Sequence, residues 1–201
     1  DLPLAVAGVR ELAPLGERMT GSGDVQVLAP SGGTPRLVIG EQSPSVIREV
    51  VGEREFRLDD TGFWQVHAAA PVALGAAVVA AIDPGLFNPR AANLDLYGGV
   101  GLLAAAVGDR FGAAVRITSV ESDSRATEHA AENLAEWIGA SVLTARVEQW
   151  VRGLAAATVA ERARLAAGTV VLDPPRSGAG RAVVEALVAV GPTQIVYVAC
   201  D

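Results

Sequence analysis

Residues 63–201 are expected to form an α/β domain, an open parallel sheet of Rossmann-like type. Residues 1–62 are expected to form a small β-rich region appended to it. Three observations predict this. Five short apolar runs, "ANLDLY", "AVRITSVE", "SVLTARV", "TVVLD" and "QIVYVAC", alternate with helical patterns. Such continuous apolar strands suit a parallel sheet covered on both faces and linked by right-handed crossovers. A glycine-rich turn, "GGVG", follows the first run. Before Pro71 the style differs, with short alternating runs broken by turn residues.

In order, "VQVLA", "RLVIG", "SVIREVV" and "EFRLDD" read as the strands of the first region, punctuated by "SGGTP" and "GEQSP". "PVALGAAVVAAID" reads as a helix with proline at its start and a stop at Asp83-Pro84. "PGLFNPRA" links it to the first sheet strand. The helical stretches that follow are "GLLAAAVGDRF", "SRATEHAAENLAEWIG", "VEQWVRGLA", "ATVAERARLAA" and "GRAVVEALVAV". No internal repeat or low-complexity tract interrupts them.

Composition narrows the function. The chain has 201 residues, 50% hydrophobic and 19% charged, enough for one core plus a small appendage and too apolar for disorder. No apolar run reaches the roughly 18–20 residues of a membrane span, and no basic-then-apolar leader opens the chain. A cytoplasmic, membrane-free protein is the expectation. The net charge of −7 argues against a broad surface for polyanions. All 16 basic residues are arginine, which suggests a GC-rich coding bias. The chain opens on Asp1 rather than methionine, as an excised piece would. No metal ligand is assigned.

Ligands of open parallel sheets sit beyond the carboxyl ends of the strands. The residues to weigh are therefore those at the strand tips. "LDLYGGVGLL" puts Asp95 near the first tip, followed by Gly98, Gly99 and Gly101. Such glycines permit a tight turn and close approach to a ligand, or simply a tight turn. Glu121 closes the next strand, 20 residues after Gly101, where an acid can accept both hydroxyls of a ribose or merely start a helix. Together they point to a nucleoside cofactor. Gly99-Val100-Gly101-Leu102-Leu103-Ala104 fits the dinucleotide fingerprint, so an NAD(P)-binding oxidoreductase is a competitor. Asp95 counts against it, because a carboxylate repels pyrophosphate and welcomes an ammonium such as that of S-adenosylmethionine. His67 and His129 lie before the sheet and within a helix, away from where a hydride-transfer site would form.

"VVLDPPRSG" sets Asp173 at a strand tip and stiffens the chain after it with two prolines. Asp173 could accept a hydrogen bond from a ligand ring, and Arg176 could meet a phosphate. The alternative is a structural turn with a solvated arginine. Cys200, the one cysteine, ends the last strand. It is either a small buried hydrophobe or a nucleophile at the ligand edge, and spacing leaves both open.

The ordered set "FWQVH", "LDLYGGVG", "VES", "LDPPRSG" and "VYVACD" resembles the RNA uracil-5-methyltransferases, and within them the actinobacterial TRAM-domain type. The match runs from about Glu53 to Asp201; the Asp-Pro-Pro-Arg-x-Gly and Val-Ala-Cys-Asp pair is its specific part. The resemblance implies an S-adenosylmethionine methyltransferase sheet at 63–201, cut short at its C-terminal end, with 1–62 part of a central domain. It implies methylation of C5 of uridine in ribosomal or transfer RNA. Cys200 would attack C6 of the uracil, C5 would take the methyl group, and a base would then remove the C5 proton. Asp173 would hold the cofactor and the uracil edge, and Glu121 the ribose. Tyr97 with the glycine loop, Gly99 and Gly101, would hold the methionine part. Gln65 matches the glutamine of a Phe-x-Gln-x-Asn segment beside the cofactor. His67 in place of that asparagine, Leu102, Arg146 and Asp201 depart from the pattern and bear on the adenine contacts. Relatives carry the general base on a segment past the cysteine and often an N-terminal RNA-binding barrel. RNA binding is thus expected to rest on a module outside these residues, and residues 1–201 alone are expected not to turn over. A third possibility is a catalytically inert binding module of the same fold.

Overall fold

The computed structural model describes residues 5–18, 20, 23–40 and 42–199. The chain divides into two compact units, Asp1–Gly62 and Phe63–Asp201. The first holds a short helix α1 (Ala7–Leu12) and four strands, β1 (Val25–Leu28), β2 (Arg36–Ile39), β3 (Val46–Val51) and β4 (Arg54–Asp59). They form two antiparallel hairpins, β1 with β2 and β3 with β4. Phe56 and Leu58 of β4 are buried while Glu55 and Arg57 point outward, the alternation of a one-sided strand. Asp60 ties the unit together: it accepts from the Ser45 amide at 3.0 Å and the Arg36 guanidinium at 3.2 Å. Helix α1 was not expected in a β-rich region. It buries none of its residues, so no apolar stripe marks it in the sequence.

The second unit is the expected sheet. After α2 (Ala70–Ala81), five strands follow: β5 (Asn93–Leu96), β6 (Ile117–Glu121), β7 (Ala140–Thr144), β8 (Thr169–Leu172) and β9 (Gln194–Tyr197). Helices α3 (Leu102–Phe111), α4 (Ser124–Asn133), α5 (Val147–Gly153), α6 (Val159–Ala166) and α7 (Arg181–Val190) separate them. All strand pairs are parallel, in the order β7-β6-β5-β8-β9. Every residue of β5 and β8 is buried, as central parallel strands require. Leu94, Leu96, Val170 and Leu172 meet Val147, Val151, Val183 and Leu187 from α5 and α7 in the core. Each such side chain contributes about 1.5–3 kcal/mol by leaving water.

Helix α4 ends at Asn133, although the helical pattern runs on to Gly139. Leu134 seals the helix end and packs under Gly101. Trp137 lies against Gly108 of α3, where any Cβ would run into its ring. Burying that indole is worth more than another helical turn.

The strand order reverses between β5 and β8: β6 and β7 lie to one side of β5, β8 and β9 to the other. This is the switch point where α/β sheets open a crevice at their strand tips.

Candidate functional site

The tips of β5, β6 and β8 bring three carboxylates to the switch point. Asp95 lies inside β5, Glu121 ends β6, and Asp173 follows β8, its amide donating to the Leu96 carbonyl at 3.2 Å. The loop after β5 is bound to the neighbouring strand, because the Tyr97 and Gly98 amides both donate to the Val120 carbonyl, at 2.9 and 3.2 Å. Tyr97 has φ 64°, a left-handed conformation found in no other non-glycine residue among those described. Such backbone strain persists where surrounding structure enforces it, and it gathers at functional sites. Gly99 and Gly101 are left-handed too, at φ 53° and 90°. A Cβ on Gly99 would meet nothing within 4 Å, so the loop presents bare backbone to open space there.

Asp95 is buried beneath this loop, 0% exposed. Its Oδ2 accepts from Ser119 Oγ at 3.3 Å, and its Oδ1 has no hydrogen-bond partner. A Cβ on Gly98 would run into Ser119 Oγ and come within 2.8 Å of Asp95 Oδ2, so glycine is required above the carboxylate. Burial pushes the Asp95 carboxyl up to about 7; the Ser119 hydroxyl and the Ala104 amide oppose this, and the charges of Asp173 and Glu121 add to it. Burial also raises the half-buried Asp173.

Glu121 is held in one orientation. Its Oε2 accepts from the Gly99 amide at 3.1 Å. Its Oε1 accepts from the Ser122 and Asp123 amides and the Ser122 hydroxyl. Oε2, with one donor against three on Oε1, keeps room to accept another hydrogen bond. The next helix, α4, is capped by Asp123, which accepts from the Arg125 amide at 2.8 Å.

Of the site residues read from sequence, Asp95, Tyr97, Gly99, Gly101, Glu121 and Asp173 thus stand at adjoining strand tips. Gln65 is half-buried in the mostly exposed stretch ahead of α2, not on a tip. Cys200 lies outside the described residues, three positions past the end of β9. Three further participants were not read from the sequence. Ser119 supports Asp95, and Glu148 Oε1 lies 3.1 Å from the Tyr97 hydroxyl. The Tyr197 hydroxyl accepts from the Ala179 amide at 3.2 Å. Ser119 had a signal, since it precedes Glu121 by two and so shares its face of the strand. Glu148 sits just after a strand tip, where only Arg146 had been weighed. Among the described residues no group of three His, Cys, Asp or Glu is placed to hold a metal ion, and no helix is long and apolar enough to cross a membrane.

The chain is similar to known proteins. An uncharacterized RNA methyltransferase of Streptomyces avermitilis is 34% identical over 98% of this chain and 50% of its own length. One from Streptomyces coelicolor is 40% identical over 77% of this chain and 31% of its own. The chain belongs to this RNA methyltransferase family. It spans half or less of the length of these relatives. No family model matches the chain. The solved Pyrococcus abyssi tRNA (uracil-54, C5)-methyltransferase, in complex with S-adenosyl-L-homocysteine, superposes with a TM-score of 0.60. It is 24% identical, covering 84% of this chain and 37% of that one, and so shares the methyltransferase fold.

Proposed function

We propose that this family member binds S-adenosylmethionine at the β5–β6–β8 tips and methylates C5 of uridine in RNA. The observation that carries the cofactor reading is the cluster of Asp95, Glu121 and Asp173 around an open glycine loop. Asp95, whose proton affinity the charges of Asp173 and Glu121 help to raise, marks a cluster that favours a ligand bearing positive charge and repels a pyrophosphate. A sulfonium and an ammonium meet that demand, whereas NAD(P) does not. S-adenosylmethionine when bound supplies an electrophilic methyl group. Glu121, fixed by four donors, offers the remaining acceptor site of Oε2 to the ribose hydroxyls. Gly99 and Gly101 let the backbone close on the methionine part, and Tyr97 fixes the loop that carries them. Asp95, buried beneath that loop, supplies negative charge. Asp173 faces the base edge from the far side of the switch point. Gln65 is assigned to the same site on family resemblance.

The uracil reading rests on resemblance in "LDPPRSG" and "VYVACD" and on the fold shared with a tRNA uracil methyltransferase. Cys200 is the proposed nucleophile: C5 of uracil is too weakly nucleophilic until a thiolate adds at C6. The test uses the protein encoded by the full reading frame. It should methylate uridine in RNA and form a denaturation-resistant adduct with RNA carrying 5-fluorouridine, because fluorine cannot leave as the C5 proton does. Cys200→Ala should abolish both. An adduct undiminished in Cys200→Ala would remove the cysteine from the reaction.

A further inference from the structure

The loop from Asp173 to Gly180 carries the strand-tip carboxylate, two prolines and Arg176, yet it has few anchors. Its start is fixed by the Asp173 amide on Leu96. Its far end is fixed at Ala179, which is 4% exposed between two left-handed glycines, Gly178 at φ 81° and Gly180 at φ 77°. Ala179 is gripped on both sides of its backbone by tyrosines from different strand tips. Its amide donates to the Tyr197 hydroxyl at 3.2 Å. Its carbonyl lies 3.3 Å from the Tyr97 hydroxyl, which shares its single proton between that carbonyl and Glu148 Oε1 at 3.1 Å. Tyr97 follows β5, Glu148 is in the first turn of α5, and Tyr197 ends β9. One residue of the loop is therefore tied to three other chain segments through two phenols.

Tyr97 bears the backbone strain noted above, and its hydroxyl network is one of the contacts that hold it there. Tyr197 is half exposed on the last strand, so its ring does little core packing and its hydroxyl is its distinctive contact. We propose that Tyr197, with Tyr97, is a positioning residue that sets the Asp173 loop at the switch point by clamping Ala179. The inference rests on the reading of Asp173 as a ligand contact. It adds a role for Tyr197, which sits on the strand that leads to Cys200, and so links the register of that strand to the placement of Asp173.

The test is Tyr197→Phe, which keeps the ring and removes the hydroxyl, with Tyr97→Phe as the second variant. Amide hydrogen exchange without ligand reads the clamp itself: the Ala179 amide should exchange faster in Tyr197→Phe, and an unchanged rate overturns the clamp. Calorimetry with S-adenosyl-L-homocysteine reads its purpose. Affinity should fall about 5- to 10-fold, as for one lost neutral hydrogen bond. The same substitution in an Asp173→Ala background should produce less than about a twofold further loss, because residues acting through one contact are not additive. A full, additive loss in that background, or faster exchange with affinity unchanged, overturns the positioning role. Failure of the unsubstituted protein to bind the nucleoside overturns the cofactor reading and the positioning role with it, while the exchange rates still report whether the clamp exists.

Discussion

Asp95 concentrates the conflict between folding and binding in one side chain. Its carboxyl is pushed up to about 7 from an ordinary value of 3.8, chiefly by burial. Because the folded value is the higher one, the folded state holds the proton more tightly than the unfolded chain. Ionisation then costs stability, so stability falls as pH rises from about 4 to about 7 and levels off above. Asp173 shifts in the same direction and adds to the slope. Asp95→Asn should flatten the melting temperature between pH 4 and 7 and raise stability at pH 8, by an amount on the order of a few kcal/mol. A melting profile that keeps its slope in Asp95→Asn would assign the titration to another group. The same proton weakens the attraction for a ligand's ammonium group, so affinity for S-adenosyl-L-homocysteine, which carries one, should drop as pH falls below about 7, and Asp95→Asn should remove that dependence. Gly98→Ala makes the complementary point. A methyl group there runs into Ser119 and Asp95, and overpacking of this kind costs about 1–3 kcal/mol. Thermal melting together with calorimetry should show lost stability and lost binding in the same variant.

At the level of elements, the sheet separates stability from function by its two ends. Asn93 opens β5 at the end opposite the site. Its amide donates to the Asn88 and Arg116 carbonyls at 3.0 and 2.9 Å, and its oxygen accepts from the Thr169 amide at 2.9 Å. Asn93→Ala leaves those buried groups unpaired and should cost about 2–4 kcal/mol, measured by denaturant unfolding. Ligand affinity should stay within about twofold in conditions where the variant is folded, since no contact of Asn93 reaches the strand tips; a tenfold loss would show that the two ends are coupled. The strands and most helices were legible because burial on both faces leaves an apolar run in β8 and the leucines Leu94 and Leu96 in β5. What was not legible had no periodic signature. Helix α1 buries no side chain, and α4 stops because Leu134 and Trp137 are claimed by α3, a tertiary contact that leaves the local pattern helical.

Across the molecule, the site was legible where position alone implied chemistry. Asp95, Glu121 and Asp173 could be named because strand tips of a parallel sheet are where ligands bind, and each is an acid in an otherwise apolar context. Glu148 and Tyr197 escaped because their roles depend on side-chain contacts across 51 and 18 positions of sequence, which periodicity does not report, whereas Ser119 could have been read from its spacing to Glu121. The acidic balance of the chain also becomes intelligible at this scale, as part of it is gathered at the site. These tips are proposed to form a site for an ammonium-bearing nucleoside rather than a dinucleotide. A calorimetric titration of the protein with S-adenosyl-L-homocysteine and, separately, with NAD tests it most directly, with Glu121→Ala as the control. Saturable binding of S-adenosyl-L-homocysteine is expected, weakened by Glu121→Ala by about 1.5–3 kcal/mol, with no comparable heat from NAD. Tight binding of NAD with none of S-adenosyl-L-homocysteine would contradict it.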